Sequence, residues 1–241
     1  INGSPTFLFF ENRNGLNFCS LESLYNNNIV QTFYGNNYTR QVNPDGTSVR
    51  NIEYEYKAIV SIVVPTIFDY VERLRSGALS STLITHDLTN KRYSYSTFDF
   101  LDEYDKETRL NKFPIVSKKA PHFSTAAIKT LNRSTALFAG GNDITGARYF
   151  QRRKSLLALA DSCKVNITVL GRTDYTVGQK VYIDLSKNMV IDKTDTDVKD
   201  HMFSGNYIIS SIKHIIDRDM HNIEMECIKD SLDLDLNNIK S

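Results

Sequence analysis

The last third of the chain constrains the fold most, because between Val165 and Ser231 apolar residues recur at every second position in segments too short and too β-branched for helices. Val165 to Leu170 alternates, Gly171 breaks the run, Val177-Gly178 turns, and Lys180 to Leu185 alternates again. After a polar loop, Gly205 to Ile216 and His221 to Lys229 form two long strands around an Asp217-Arg218-Asp219 turn. In the last strand Ile223, Met225 and Cys227 share one face and Glu224 and Glu226 the other, which places the Cys227 sulfur on the apolar side. Consecutive strands joined by short turns pair antiparallel, so the segment is expected to close into an antiparallel barrel or sandwich. No catalytic group is built into it, and the pattern points to scaffolding.

The upstream part mixes strands with short helices. Thr6 to Phe10 reads as a buried strand leading through the Asn12 to Gly15 turn into Leu16 to Phe18. Ser20 then caps a short helix to Tyr25, with Leu21, Leu24 and Tyr25 inward. Asn26 to Gly46, rich in Asn and Gly, is expected to be an exposed irregular connection. Ile52, Tyr54 and Tyr56 alternate with Glu53, Glu55 and Lys57, which predicts a strand running on to Val64, and Pro65 is placed to open a helix whose apolar stripe is Ile67, Phe68, Val71 and Leu74 and whose end is Ser76-Gly77. Leu79 to His86 and Arg92 to Phe98 are expected to form a hairpin. Phe98 to Arg109 reads as an exposed helix held by Asp102 to Lys106 and Asp105 to Arg109 pairs. Phe113 to Gly146 has no sustained period and reads as a mobile or partner-dependent region. Tyr149, Leu156, Leu157 and Ala160 mark a helix before the β-rich end.

Composition excludes several functions. Lys plus Arg (29) and Asp plus Glu (28) nearly cancel over 241 residues, which argues against a broad basic field for nucleic acid. Cys19, Cys163 and Cys227 are too few and too widely spaced for a disulfide framework or a zinc site, so reduced thiols and assembly in a cytosol are expected. No apolar run approaches the roughly 18 residues of a membrane span, and no signal peptide is recognisable. The chain opens on Ile1 rather than Met and is read as a piece with natural sequence upstream.

Motifs with chemistry are absent or weak. There is no phosphate-binding loop, zinc-protease helix or nucleophile elbow, and Gly140, Gly141 and Gly146 lack the lysine and preceding strand that a phosphate cradle needs. His86 and Asp87 adjoin at a strand end, where neighbours point apart, so turn chemistry is the better account. His214, Asp217, Asp219 and His221 gather around one turn but match no metal-loop template. Asp192, Asp195, Asp197 and Asp200 lack the glycine and distal glutamate of a calcium loop. Arg152-Arg153-Lys154 reads as a solvated helix face or an interface salt bridge. No catalytic, cofactor-binding or metal-ligating residue is therefore assigned, no cofactor is expected, and the protein is not expected to be an enzyme.

Four stretches, in order, carry a family resemblance. They are Phe7 to Phe18 (FLFFENRNGLNF) with Ser20 to Leu24; Phe68 to Gly77 with Ile84 to Asp87; Arg152 to Ser155 through Gly171-Arg172-Thr173; and Val177-Gly178 through Gly205 to His214 (GNYIISSIKH) to the end. Together they resemble the central baseplate hub protein of contractile-tailed bacteriophages, related to the hub of type VI secretion and other contractile injection system spikes. The resemblance spans nearly the whole chain apart from Phe113 to Gly146.

That resemblance implies a β-rich α+β protein. Residues 56–98 and 163–241 would form a discontinuous second tube barrel, and residues 1–55 and 99–162 an intermediate α+β region, with a first barrel upstream. It implies a homotrimer in the virion tail that adapts a sixfold tail tube to a threefold cell-puncturing spike. Its implied partners are the central spike, tail tube or tube-initiator proteins and baseplate wedge proteins, with no membrane and no specific nucleic acid. Tyr (13) and Phe (13) without Trp suit amphipathic subunit interfaces. The rival readings are a host-surface-binding β-module and a tail-associated hydrolase, the latter requiring paired carboxylates in a cleft.

Overall fold

The structure, a computed structural model, describes residues 6–35, 41–42, 48–49, 52–66, 68–87, 91–120, 130–133, 147–160, 162–186 and 199–237. Strands β1 (Phe7–Asn12) and β2 (Gly15–Ser20) form an antiparallel hairpin, closed where Gly15 takes a φ of +115° that side chains disfavour. Helix α1 (Leu21–Tyr25) follows directly: the Ser20 hydroxyl accepts the Ser23 amide at 3.2 Å, and Leu21, Leu24 and Tyr25 are buried as the sequence predicts. The stretch expected to be irregular, Asn26 to Gly46, contains β3 (Ile29–Tyr34) and β4 (Gln41–Val42), and β4 pairs with β5 (Ser48–Val49) just beyond it.

Two expectations for the next segment fail for identifiable reasons. Ile52–Lys57 is helix α2, not a strand, and Lys57 pairs with Glu53 one turn back at 2.5 Å. Pro65 does not open a helix but lies within β6 (Ile59–Thr66), an edge strand whose register slips between Val63 and Thr66, a bulge that tolerates the missing amide. The helix begins later, as α3 (Tyr70–Arg75), where the Asp69 carboxylate accepts the Glu72 amide at 3.0 Å, and it stops at Ser76-Gly77.

The predicted hairpin is β7 (Ser80–Asp87) with β8 (Arg92–Asp99). Beyond it the expected exposed helix shrinks to α4 (Phe100–Glu103) and one 3-10 turn at Tyr104–Lys106, with Phe100 and Tyr104 buried. Then come β9 (Phe113–Pro114), β10 (Thr130–Arg133), which runs parallel to β7, and the predicted helix α5 (Ala147–Ala160). Ile115 and Val116 are buried, so the start of the supposedly mobile stretch is packed core. The chain ends in β11 (Cys163–Leu170), β12 (Lys180–Asp184), β13 (Gly205–Ile216), β14 (His221–Lys229) and β15 (Ser231–Leu232).

The β-rich α+β class holds, but the main sheet is mixed rather than antiparallel. Its six strands run β3-β12-β13-β14-β11-β6, antiparallel except where β3 lies parallel to β12. The sheet curls into a half-barrel, and one backbone bridge between Tyr34 and Ala58 ties its two edges together. All six strands feed one interior: Phe33, Ile59, Val165, Ile167, Val169, Val181, Ile183, Tyr207, Ile209, Ile223, Met225 and Cys227 belong to a single buried cluster. Each such aliphatic or aromatic side chain contributes about 1.5–3 kcal/mol of burial, which fixes the register, since a one-residue slip turns the set outward.

Two further clusters mount other elements on this sheet. Leu79, Phe100, Tyr104, Ile115, Val116, Leu159, Cys163 and Leu232 join α5 and the β7–β8 hairpin to the C-terminal strands. Leu21, Leu24, Tyr25, Leu110, Ala160 and Ile208 seat α1 on the outer face. Asn111 stitches the intervening loop down: its amide nitrogen donates to the Asn206 and Ser231 carbonyls at 3.2 and 3.0 Å, and its oxygen accepts the Asn206 amide at 2.8 Å.

Candidate interaction surfaces

The β1–β2 hairpin has two faces of opposite use. Leu8, Phe10 and Cys19 pack inward on the α1 cluster, so the alternation sends Phe7, Phe9, Leu16 and Phe18 outward. These four are 44%, 68%, 70% and 70% exposed, which corrects the expectation of a buried strand. Phe9 lies directly across from Phe18, and Phe7 stacks on Phe18 with ring centroids 5.2 Å apart and planes 14° from parallel. Three rings and a leucine thus form one ridge, the kind of contiguous apolar surface that marks an interaction site.

The ridge stands on a rigid base. The Leu21 amide donates to the Thr6 carbonyl at 2.9 Å, Asn12 donates to the Val177 carbonyl at 3.3 Å, and the Phe10 ring rests on Gly178. Arg153 of α5 reaches the Phe7 carbonyl at 3.4 Å. A surface held this way loses little freedom on binding.

Sheet edges supply the second kind of surface. On the edge strand β6, Val60, Ile62 and Val63 are exposed. Strand β13 pairs with β12 only from Gly205 to Ile208, so beyond Ile209 it has β14 on one side and, among the described residues, no strand on the other. Ile215, Ile216 and the turn residue Met220 are exposed there. Open edges with apolar side chains are templates for another chain.

The basic triplet of α5 is engaged within the chain. Arg152 donates to the Glu107 carboxylate at 2.6 Å and lies 4.0 Å from Glu22, and the hydrogen bond to Glu107 raises its pKa against the opposing effect of burial. Lys154 donates to the Ser76 carbonyl. Arg152 thus forms a salt bridge within the chain, where a solvated helix face or an interface salt bridge is the sequence expectation. Burial raises the pKa of the Cys163 and Cys227 thiols, the opposite of what a nucleophile needs.

The remaining sequence candidates separate in the structure. His214 and His221 come together, with Nδ1 of the first 3.0 Å from Nε2 of the second. Asp217 instead accepts the Arg218 amide at 2.7 Å, and Asp200 accepts the Met202 and Phe203 amides at 2.9 and 3.2 Å, both as turn acceptors. Gly140, Gly141, Gly146, Asp192, Asp195 and Asp197 lie outside the described residues, as do the side chains of His86 and Asp87. Among the described residues no group of three or more His, Cys, Asp or Glu is arranged to hold a metal, and no helix is long and apolar enough to cross a membrane.

A groove between β7, β8 and α4 carries Asp99, Asp102 and Glu103 beside Ser80, Ser81 and Phe98. Asp99 accepts the Leu101 amide at 2.9 Å as the cap of α4, and Glu103 is paired with Lys106 at 2.6 Å. Two of the three carboxylates are thus bound up in local structure.

No family model matches the chain, and no curated protein matches it. Among solved structures it is similar to the tail protein from Neisseria meningitidis MC58, at 12% identity and a TM-score of 0.43, over 86% of this chain and 45% of that one. It is also similar to the 43 kDa tail protein of prophage MuSo2 from Shewanella oneidensis, at 10% identity and a TM-score of 0.48, over 94% of this chain and 51% of that one. The chain spans about half the length of each.

Proposed function

We propose that the protein is a structural component of a phage tail baseplate, a protomer of a trimeric central hub that joins a sixfold tail tube to a threefold spike. The observation that carries this reading is the division of labour in the strands. Their inner faces fill one core, while large apolar side chains stay exposed on a rigid hairpin ridge and on open sheet edges. Copies arranged about a closed axis cover such surfaces without leaving a dangling interface. The four stretches that resemble the hub family support the same reading. Residues 56–98 and 163–241 then belong to the second tube barrel, to which β3 adds an edge strand, and residues 1–55 and 99–162 to the intermediate region.

In this role the chain makes and breaks no bonds. It passes load from the tube to the spike through a hydrogen-bonded sheet, and its neighbours are the spike, tube or tube-initiator and wedge proteins of the virion tail. Sedimentation velocity of the purified protein tests the copy number, with a concentration-dependent trimer as the expected species. A folded protein that stays monomeric throughout, or imaging that finds one or six copies per tail, overturns the proposal.

A further inference from the structure

The His214–His221 contact lies at the end of the apolar lining of the curled sheet. Ile223 and Val169 are the last core residues on that face, paired across β14 and β11, and the next positions toward the ribbon tip are His221 and Gly171. The Gly171 amide donates to the His221 carbonyl at 2.7 Å, and a Cβ on Gly171 would fall 2.1 Å from His221 Cγ. The ring therefore occupies the space a side chain would need, and the glycine seats it. His214 stands diagonally across on β13, on the same face, since it opposes Ile223 while His221 opposes Ile216. Lys213 and Glu224 pair with each other on the opposite face at 3.2 Å.

With the ring centroids 5.2 Å apart, two ring nitrogens thus face each other from strands of fixed register. Their 3.0 Å separation is that of a shared hydrogen bond, but it also equals the edge between two neighbouring ligands. With metal–nitrogen bonds of about 2.1 Å it subtends an angle of roughly 90°, and turning each ring by roughly 30° swings both lone pairs from each other onto one ion. We propose that His214 Nδ1 and His221 Nε2 form an exchangeable chelate for a borderline divalent cation of the zinc, nickel or copper class, which clamps β13 to β14 at the exposed end of their ribbon. Neutral imidazole suits these ions. Both rings would bind as neutral imidazoles, each carrying its proton on the outward nitrogen. Among the described residues no third ligand stands by, and water completes the sphere.

The test is a Zn2+ titration of the metal-stripped full chain, followed by the imidazole NMR signals and by calorimetry. Saturable one-to-one binding is expected. The signals of His214 and His221 shift together, those of His86, His122 and His201 stay in place, and EDTA reverses the change. His214→Gln or His221→Gln abolishes binding, whereas Asp217→Asn and Asp219→Asn retain it. Failure of the two wild-type signals to move overturns the inference even if the variants do not fold. So does binding that survives both glutamine substitutions, or a Zn2+-induced dimer in sedimentation.

Discussion

Arg109 and Asp230 meet in the interior, with Nη1 of the guanidinium 3.6 Å from Oδ2 of the carboxylate and the two side chains only 6% and 1% exposed. The guanidinium carbon lies 5.1 Å from the Phe100 ring centroid and 4.9 Å from that of Tyr104. Asp230 also accepts the Leu110 amide at 3.2 Å and the Ser231 hydroxyl at 2.6 Å. Burial raises its pKa, and the Arg109 charge with these hydrogen bonds works against that rise. The pair pins the loop after the 3-10 turn to the last strands of the fold.

Removing either partner leaves a buried charge without its counter-ion. Arg109→Ala and Asp230→Ala are each expected to lower stability by roughly 3–5 kcal/mol in urea titrations. The apolar double replacement Arg109→Met with Asp230→Leu is expected to cost much less than the sum. Additive losses would show that the two charges do not sense each other.

Lys229 gives a pH signature. The residue is fully buried, and its ammonium donates to the Met202 and Ser204 carbonyls at 2.6 and 3.2 Å while lying 4.8 Å from the Tyr207 ring centroid. Burial lowers its pKa from 10.5 to about 8, against the pull of Cys163, Asp233 and Asp200. Between those two values the unfolded chain binds more protons at this site than the folded one, so its contribution to stability grows as pH rises through the window. Burial raises the pKa values of Cys163, Cys227 and Tyr207, which act in the opposite direction at alkaline pH. The difference between wild type and Lys229→Met isolates the lysine. That difference is expected to move in favour of wild type by up to about 3 kcal/mol across the window, and a flat difference contradicts the assignment.

The C-terminal strands were legible because each has one face in the core, so period-two alternation appears directly in Val165, Ile167 and Val169 and in Ile223, Met225 and Cys227. Strand β3 was not, because its one fully buried side chain, Phe33, sits among Asn and Gly, and its pairing is parallel to a strand far along the chain. Local helical spacing pairs Arg109 with Asp105, but the chain leaves the helix at Lys106 and a distant aspartate takes the charge. The hairpin's apolar content was visible at once, yet its exposed face was not. An FLFF run looks the same whether its outward rings meet solvent or another chain. His214 and His221 were visible as neighbours of a turn, while their shared face depends on the β13–β14 register.

Substitutions on the hairpin ridge test folding and self-association separately. Phe9→Ser and Phe18→Ser alter side chains that are already mostly exposed, so the stability of the monomer is expected to change by no more than about 0.5 kcal/mol. Leu24→Ala, on the covered side, is expected to cost about 2–5 kcal/mol. If the ridge is an interface, sedimentation will show the serine variants weakened in self-association with their melting unchanged. Association equal to wild type would move the contact to the sheet edges.

Gly178 controls how firmly that ridge is held. It adopts a φ of +88°, and a Cβ there would meet Phe10 Cζ at 2.9 Å. Gly178→Ala therefore combines a left-handed backbone penalty of about 1–2 kcal/mol with displacement of the ring that anchors the hairpin. The expected result is a stability loss of at least that size together with faster amide exchange across Phe7–Asn12 and Gly15–Ser20, while β13 and β14 keep their protection. The companion change Phe10→Leu removes the clash and is expected to restore part of the stability in the double variant. Exchange that rises equally in the hairpin and the six-stranded sheet would mean that Gly178 serves the whole fold and not the mounting of the ridge.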